Sequence, residues 1–218
     1  MFVGHYAAAF AAKSCNTRLR LGLLFLAAQA LDIVWASLVL AHVEHMRITP
    51  GFTASNPFDF YFMPYSHSLL AAVLWSCVVL LLSLPFLKLR GALWMAAVVL
   101  SHWFLDLAVH APDLTLAGGQ RKLGFALWNH AIASIAIEFL LLLASAWWYA
   151  SRTRPRSLGG RYGVAALVVM LIFVHLAVFF GPPLPSPEAL TALALFGYLF
   201  FAACAGWVDA RRRSITGL

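Results

Sequence analysis

Charge is what this chain has least of. Asp, Glu, Lys and Arg make up 11% of its 218 residues, against roughly a quarter in soluble domains, and only eight residues are acidic. With 63% hydrophobic residues and a mean hydropathy of +0.86, that scarcity excludes a solvated globular domain and leaves an integral membrane protein. Cysteine is scarce too: Cys15, Cys77 and Cys204 form no CxxC pair and imply no disulfide framework. There is no Gly-rich phosphate loop, no Ser-His-Asp order and no internal repeat of useful length. Nor is there a discontinuous helix pair or inverted repeat of the transporter kind.

What is present are apolar runs long enough to cross a hydrocarbon core of about 30 Å. They fall near 19–43, 64–87, 91–111, 123–150, 161–181 and 188–209. The expected fold is all-α: a polytopic bundle of six transmembrane helices, plus a short N-terminal helix that is inserted or interfacial. Residues 1–12 are too short to span and lack the basic start of a signal peptide. The chain divides into a helical core over 1–150, a basic linker over 151–160 and a terminal helix pair over 161–218. Twelve basic residues, from Lys13 to Arg213, fall on one side of alternating spans, and only Arg47, Arg121 and Lys122 on the other. This bias predicts cytoplasmic termini in an inner membrane. It also makes the net charge of +7 a topology signal, and no nucleic-acid partner is expected.

Against that background Asp32, His67, His102, Asp106 and His130 stand out, because ionisable groups at membrane depth mark functional sites. At 1.5 Å per residue, Asp32 and His102 lie roughly 18 Å above the cytoplasmic face, and His130 roughly 12 Å below the outer one. They share one layer. In SHWFLDLAVH, residues 101–110, His102 and Asp106 are one helical turn apart and can converge on one ion. His110 reads as a solvated boundary residue. His67, in PYSHS, is the natural third ligand, with Ser66 and Ser68 able to brace it, and His5 is the fourth candidate. Mixed N and O donors point to zinc. Asp32 is either a ligand or the general base that takes a proton from a metal-activated water, and His130 is placed to donate to a substrate oxygen. The competing explanation for any one of these residues is a hydrogen bond between helices. Glu138 reads as internally paired or protonated and His175 as structural. His42, Glu44, His45 and Asp59 read as solvated loop residues.

The glycine-histidine at 4–5, Asp32, SHS at 66–68 and SH with an aspartate four residues on at 101–106 resemble the bacterial YdjM-like family of membrane-bound, metal-dependent hydrolases, over roughly residues 1–115. The resemblance carries His5, Asp32, His67, His102 and Asp106 over by position. It departs where the family has a second aspartate beside Asp32 and a histidine-arginine pair before SHS. In chemistry the chain is also similar to the seven-helix membrane hydrolases that include alkaline ceramidases and adiponectin receptors, although their closing histidine pair is absent. The expected function is hydrolysis of a lipid or other amphiphilic substrate near the bilayer midplane. The alternative is a proton- or metal-ion-coupled transporter or channel using the same residues.

Overall fold

The structure is a computed structural model, and it describes residues 1–215. Its helices are α1 (His5–Cys15), α2 (Leu21–Ala28), α3 (Ala30–Leu40), α4 (Leu69–Val109), α5 (Ala131–Arg152), α6 (Leu158–Phe180) and α7 (Pro187–Asp209). Four of them, α4 to α7, are long and apolar enough to cross a membrane, and α2 with α3 makes a fifth as a bent pair. The chain is therefore an all-helical membrane bundle, as the apolar runs predict.

The helix α4 is 41 residues long, but Lys88 interrupts it with φ 54° and ψ 168°, outside the helical region. His67, just before its start, lies 3.6 Å from Asp106 near its end. A continuous rod would separate them by about 60 Å, so α4 folds back on itself at Lys88 into two antiparallel arms. The runs near 64–87 and 91–111 are those arms.

The first run differs from its expectation of one continuous helix. It breaks at Gln29 into α2 and α3, which meet at 53°. The break takes the Ala28 carbonyl out of the helical ladder, and His102 Nδ1 donates to it at 2.7 Å. It also puts Asp32 in the first turn of α3, where the positive end of the helix dipole favours a carboxylate. The N-terminal α1 is inserted rather than interfacial: Val3, Tyr6, Ala9 and Phe10 are fully buried among α2, α4 and α5.

The most extensive packing is α2 on α7. Gly22 makes it possible, because a Cβ there would stand 2.7 Å from the Ala202 carbonyl oxygen. At one end of the bundle Lys13 pairs with Asp209 at 3.0 Å, and Asp209 also accepts from Tyr149 and the Leu21 amide. Beside them β5 (Thr153–Pro155) pairs antiparallel with β6 (Arg212–Ser214). At the other end a hairpin of β1 (His45–Ile48) and β2 (Phe58–Phe62) covers the helices. A second small hairpin there, β3 (Leu114–Thr115) with β4 (Lys122–Leu123), follows α4. Residues 123–130, expected as the start of the fourth span, are instead a strand end, a left-handed Ala126 (φ 57°) and a 3-10 turn over Leu127–Asn129.

Candidate metal centre

The fold-back of α4 and the break after Ala28 bring three stretches of the sequence to one point. His102 and Asp106 lie one turn apart on the second arm, and His67 arrives from the turn ahead of the first arm. That turn is tied down twice: the Ser68 side chain caps α4 by accepting from the Ala71 amide, and Trp103 Nε1 donates to the His67 carbonyl. Asp32 comes from α3. His67 Nε2 is 3.4 Å from Asp32 Oδ1 and 3.6 Å from Asp106 Oδ2. His102 Nε2 is 3.6 Å and 3.0 Å from the same two atoms. Four ligands held about 2.1 Å from a tetrahedral zinc ion stand about 3.4 Å from one another. The four nitrogen–oxygen separations have that size.

Two overlapping triads have ligand atoms within 4.8 Å of one another: Asp32, His67, His102 and His5, His102, Asp106. His5 Nε2 reaches Asp106 Oδ1 at 3.1 Å, and its ring stacks on that of His102 at 3.6 Å. The amino group of Met1 is 2.5 Å from the same Asp106 oxygen. His110 Nε2 completes the circle, 3.5 Å from Asp106 Oδ1.

Proton accounting shows what the cluster wants. A carbonyl oxygen only accepts, so His102 Nδ1 carries a hydrogen. In the neutral ring Nε2 is then a bare lone pair facing the Asp106 carboxylate, and among the described residues it has no hydrogen-bond partner. For His67, Ser66 Oγ donates to Glu44 Oε2 and therefore accepts from Nδ1 at 2.8 Å. Its Nε2 is bare as well. His110 Nδ1 donates to Asp113 Oδ1 at 2.9 Å. In their neutral forms two imidazoles, His102 and His67, are thus held from behind in the tautomer that aims a lone pair at a buried carboxylate. Lone pairs facing anionic oxygens repel, and a cation between them removes the repulsion. The pull on positive charge is visible at His110, just past the end of α4: burial acts to lower its pKa, but Asp113 and Asp106 outweigh it and push it up to about 9.

The structure brings His5, Asp32, His67, His102 and Asp106 together and leaves His130 out. His130 is exposed at the N-cap of α5, because residues 123–130 are not helical and a depth counted at helical rise does not apply to them. Two assignments made from position also change: His110 is buried inside the centre, and Glu44 is fully buried behind His67. Asp113, which carries no reading in the sequence analysis, is buried behind His110. Glu44 holds the turn through the Tyr65 and Ser66 amides and the Ser66 hydroxyl. Its only sequence signal is an acid shortly before a hydrophobic hairpin, which is weak. Ser66 braces His67 as expected, while Ser68 serves the helix cap.

A cavity of about 200 Å³ adjoins the centre, lined among others by Asp32, His67, Asp106, His110 and Tyr198. Tyr198, on α7, faces Asp32, a role nothing in the sequence of α7 announces. Comparison with protein-family models, curated proteins and solved structures returns no match.

Proposed function

We propose that this chain is a metal-dependent membrane hydrolase acting on a lipid or similar amphiphile. Asp32, His67, His102 and Asp106 hold the ion, and the mixed nitrogen and oxygen donors suit zinc. The observation that carries the reading is the convergence of the His102 and His67 Nε2 lone pairs on two carboxylates, the rings fixed from behind by Ala28 and Ser66. A bound divalent ion supplies Lewis-acid polarisation of an ester, amide or phosphoester oxygen and acidifies a water molecule. The chain's own part is to keep the imidazoles in the metal-binding tautomer, to keep bulk water out, and to offer an apolar cavity beside the ligands. Asp32 is the most exposed of the four, its side chain 15% exposed, and it lines that cavity. In this reading the bent pair, the two arms of α4 and α5 to α7 make six crossings of a bacterial inner membrane, with both termini cytoplasmic. The relation to YdjM-like hydrolases is part of the same proposal.

Metal analysis of the purified protein tests it. We expect about one zinc per chain in the wild type and almost none in His102→Ala or Asp106→Ala. Stoichiometric metal in both variants would remove the site and the hydrolase with it.

One observation favours a second reading. The break at Gln29 leaves helix ends at the centre, as in the discontinuous helices of ion-coupled transporters. Metal or proton flux into proteoliposomes holding the wild-type protein, with metal that exchanges rapidly with a chelator, would favour transport over hydrolysis.

A further inference from the structure

Beyond the metal ligands, the cavity contains a second pair of buried ionisable groups. Glu138 on α5 and His175 on α6 both line it and are 1% and 2% exposed. Glu138 Oε2 is occupied by the Phe2 and Gly4 amides. Its Oε1 and His175 Nε2 have no hydrogen-bond partner among the described residues and are enclosed as the side chains stand, so a ligand in the cavity meets them when the two side chains turn toward it. An unmade hydrogen bond at such a place is costly, and apart from the ligands, Asn56, His110 and Tyr198 the remaining lining is mostly apolar side chain. Three rings flank His175, Phe2 at 6.0 Å, Phe139 at 5.4 Å and Phe179 at 4.9 Å, and fix its plane.

The far side of the cavity runs between α6 and α7. Val178 and Leu193 line it and are also 43% and 57% exposed on the outside of the bundle, so its mouth faces lipid. Gly197 lies along this passage, and a Cβ there would meet nothing within 4 Å. The space is narrow: about 200 Å³ is below the roughly 300–1,000 Å³ of drug-sized ligand pockets. One alkyl chain suits it better than two.

We propose that Glu138 and His175 are the head-group contacts for a single-chain amphiphile bearing a hydroxyl, whose chain leaves between α6 and α7 past Gly197. A hydroxyl donates its one hydrogen to Glu138 Oε1 and accepts from His175 Nε2, so it satisfies both groups in the tautomer that carries the hydrogen on Nε2. It places the bond next to the head beside Asp32 and His67. This deepens the hydrolase reading and rests on the same cavity serving as its substrate site.

The test uses probes that a hydrolase cannot cleave. A dodecyl glycerol ether with a diazirine near the chain end is photolysed with the full-length protein in lipid nanodiscs, beside a dodecyl methyl ether that lacks the hydroxyls. In the wild type the glycerol ether labels peptides containing Val178 and Leu193, about tenfold more than the methyl ether at equal concentration, in keeping with the loss of one buried hydrogen bond. His175→Phe, which keeps the ring stack, brings the two probes level. Gly197→Phe abolishes labelling by both and leaves metal content unchanged. Equal labelling by both probes in the wild type, or labelling that persists in Gly197→Phe, overturns the proposal. Metal-free protein that still labels as described supports this binding site and removes only the hydrolase.

Discussion

At the scale of single residues, the groups behind the histidines matter as much as the ligands. Glu44 and Ser66 never touch the cluster point, yet they set which nitrogen of His67 is bare. Ser66→Ala should therefore lower zinc affinity by about 10- to 100-fold, the usual loss when the group orienting a ligand is removed, while the bundle stays folded. Competition with a chelator of known affinity measures it, and unchanged affinity would show that His67 needs no orientation. Asp32 separates two chemistries. If it is a ligand, as its spacing from His67 and His102 supports, Asp32→Asn loses metal and turnover together. If it is the general base, the variant keeps the ion and loses turnover alone, because an amide does not take a proton at neutral pH. Zinc content and hydrolysis measured on the same sample decide between them. The buried His/Asp cluster itself was legible in the sequence, since a charge at membrane depth needs a reason. Glu44 and Asp113 were not, because an acid in a connecting segment looks solvated until the fold buries it.

At the scale of elements, the bundle depends on close approach in one place and on empty space in another. Gly22 lets α2 meet the backbone of α7, whereas Gly197 faces the open cavity. Gly22→Ala should destabilise the protein by about 1–3 kcal/mol through overpacking, and Gly197→Ala by much less. Thermal denaturation of both variants in the same detergent checks the contrast, and equal midpoints would refute the packing described for α2 and α7. Helical spans were readable from apolar runs, because the hydrocarbon core sets their length. The break at Gln29 was not readable: no proline or glycine marks it, and what sustains it is a distant acceptor-donor pair, Ala28 with His102. The error at His130 has the same source. Counting residues gives depth only where the chain is helical, and residues 123–130 are not.

At the scale of the whole molecule, the proposed orientation puts the β1–β2 hairpin outside and the β5–β6 pairing in the cytoplasm. Single cysteines at two exposed positions, Ala54→Cys and Arg156→Cys in a background without Cys15, Cys77 and Cys204, should react from opposite faces of sealed vesicles. Labelling of Ala54→Cys from the cytoplasmic face would invert the topology. The contacts of the first few residues bear on how the protein is made. His5 meets Asp106 across 101 residues, and Glu138 fastens the Phe2 and Gly4 amides from farther still. Since α1 has its most extensive packing with α5, the opening segment emerges from the ribosome long before its seat exists. It must wait, and a nascent chain that stops short of α5 offers it only the part of its seat that α2 and α4 supply.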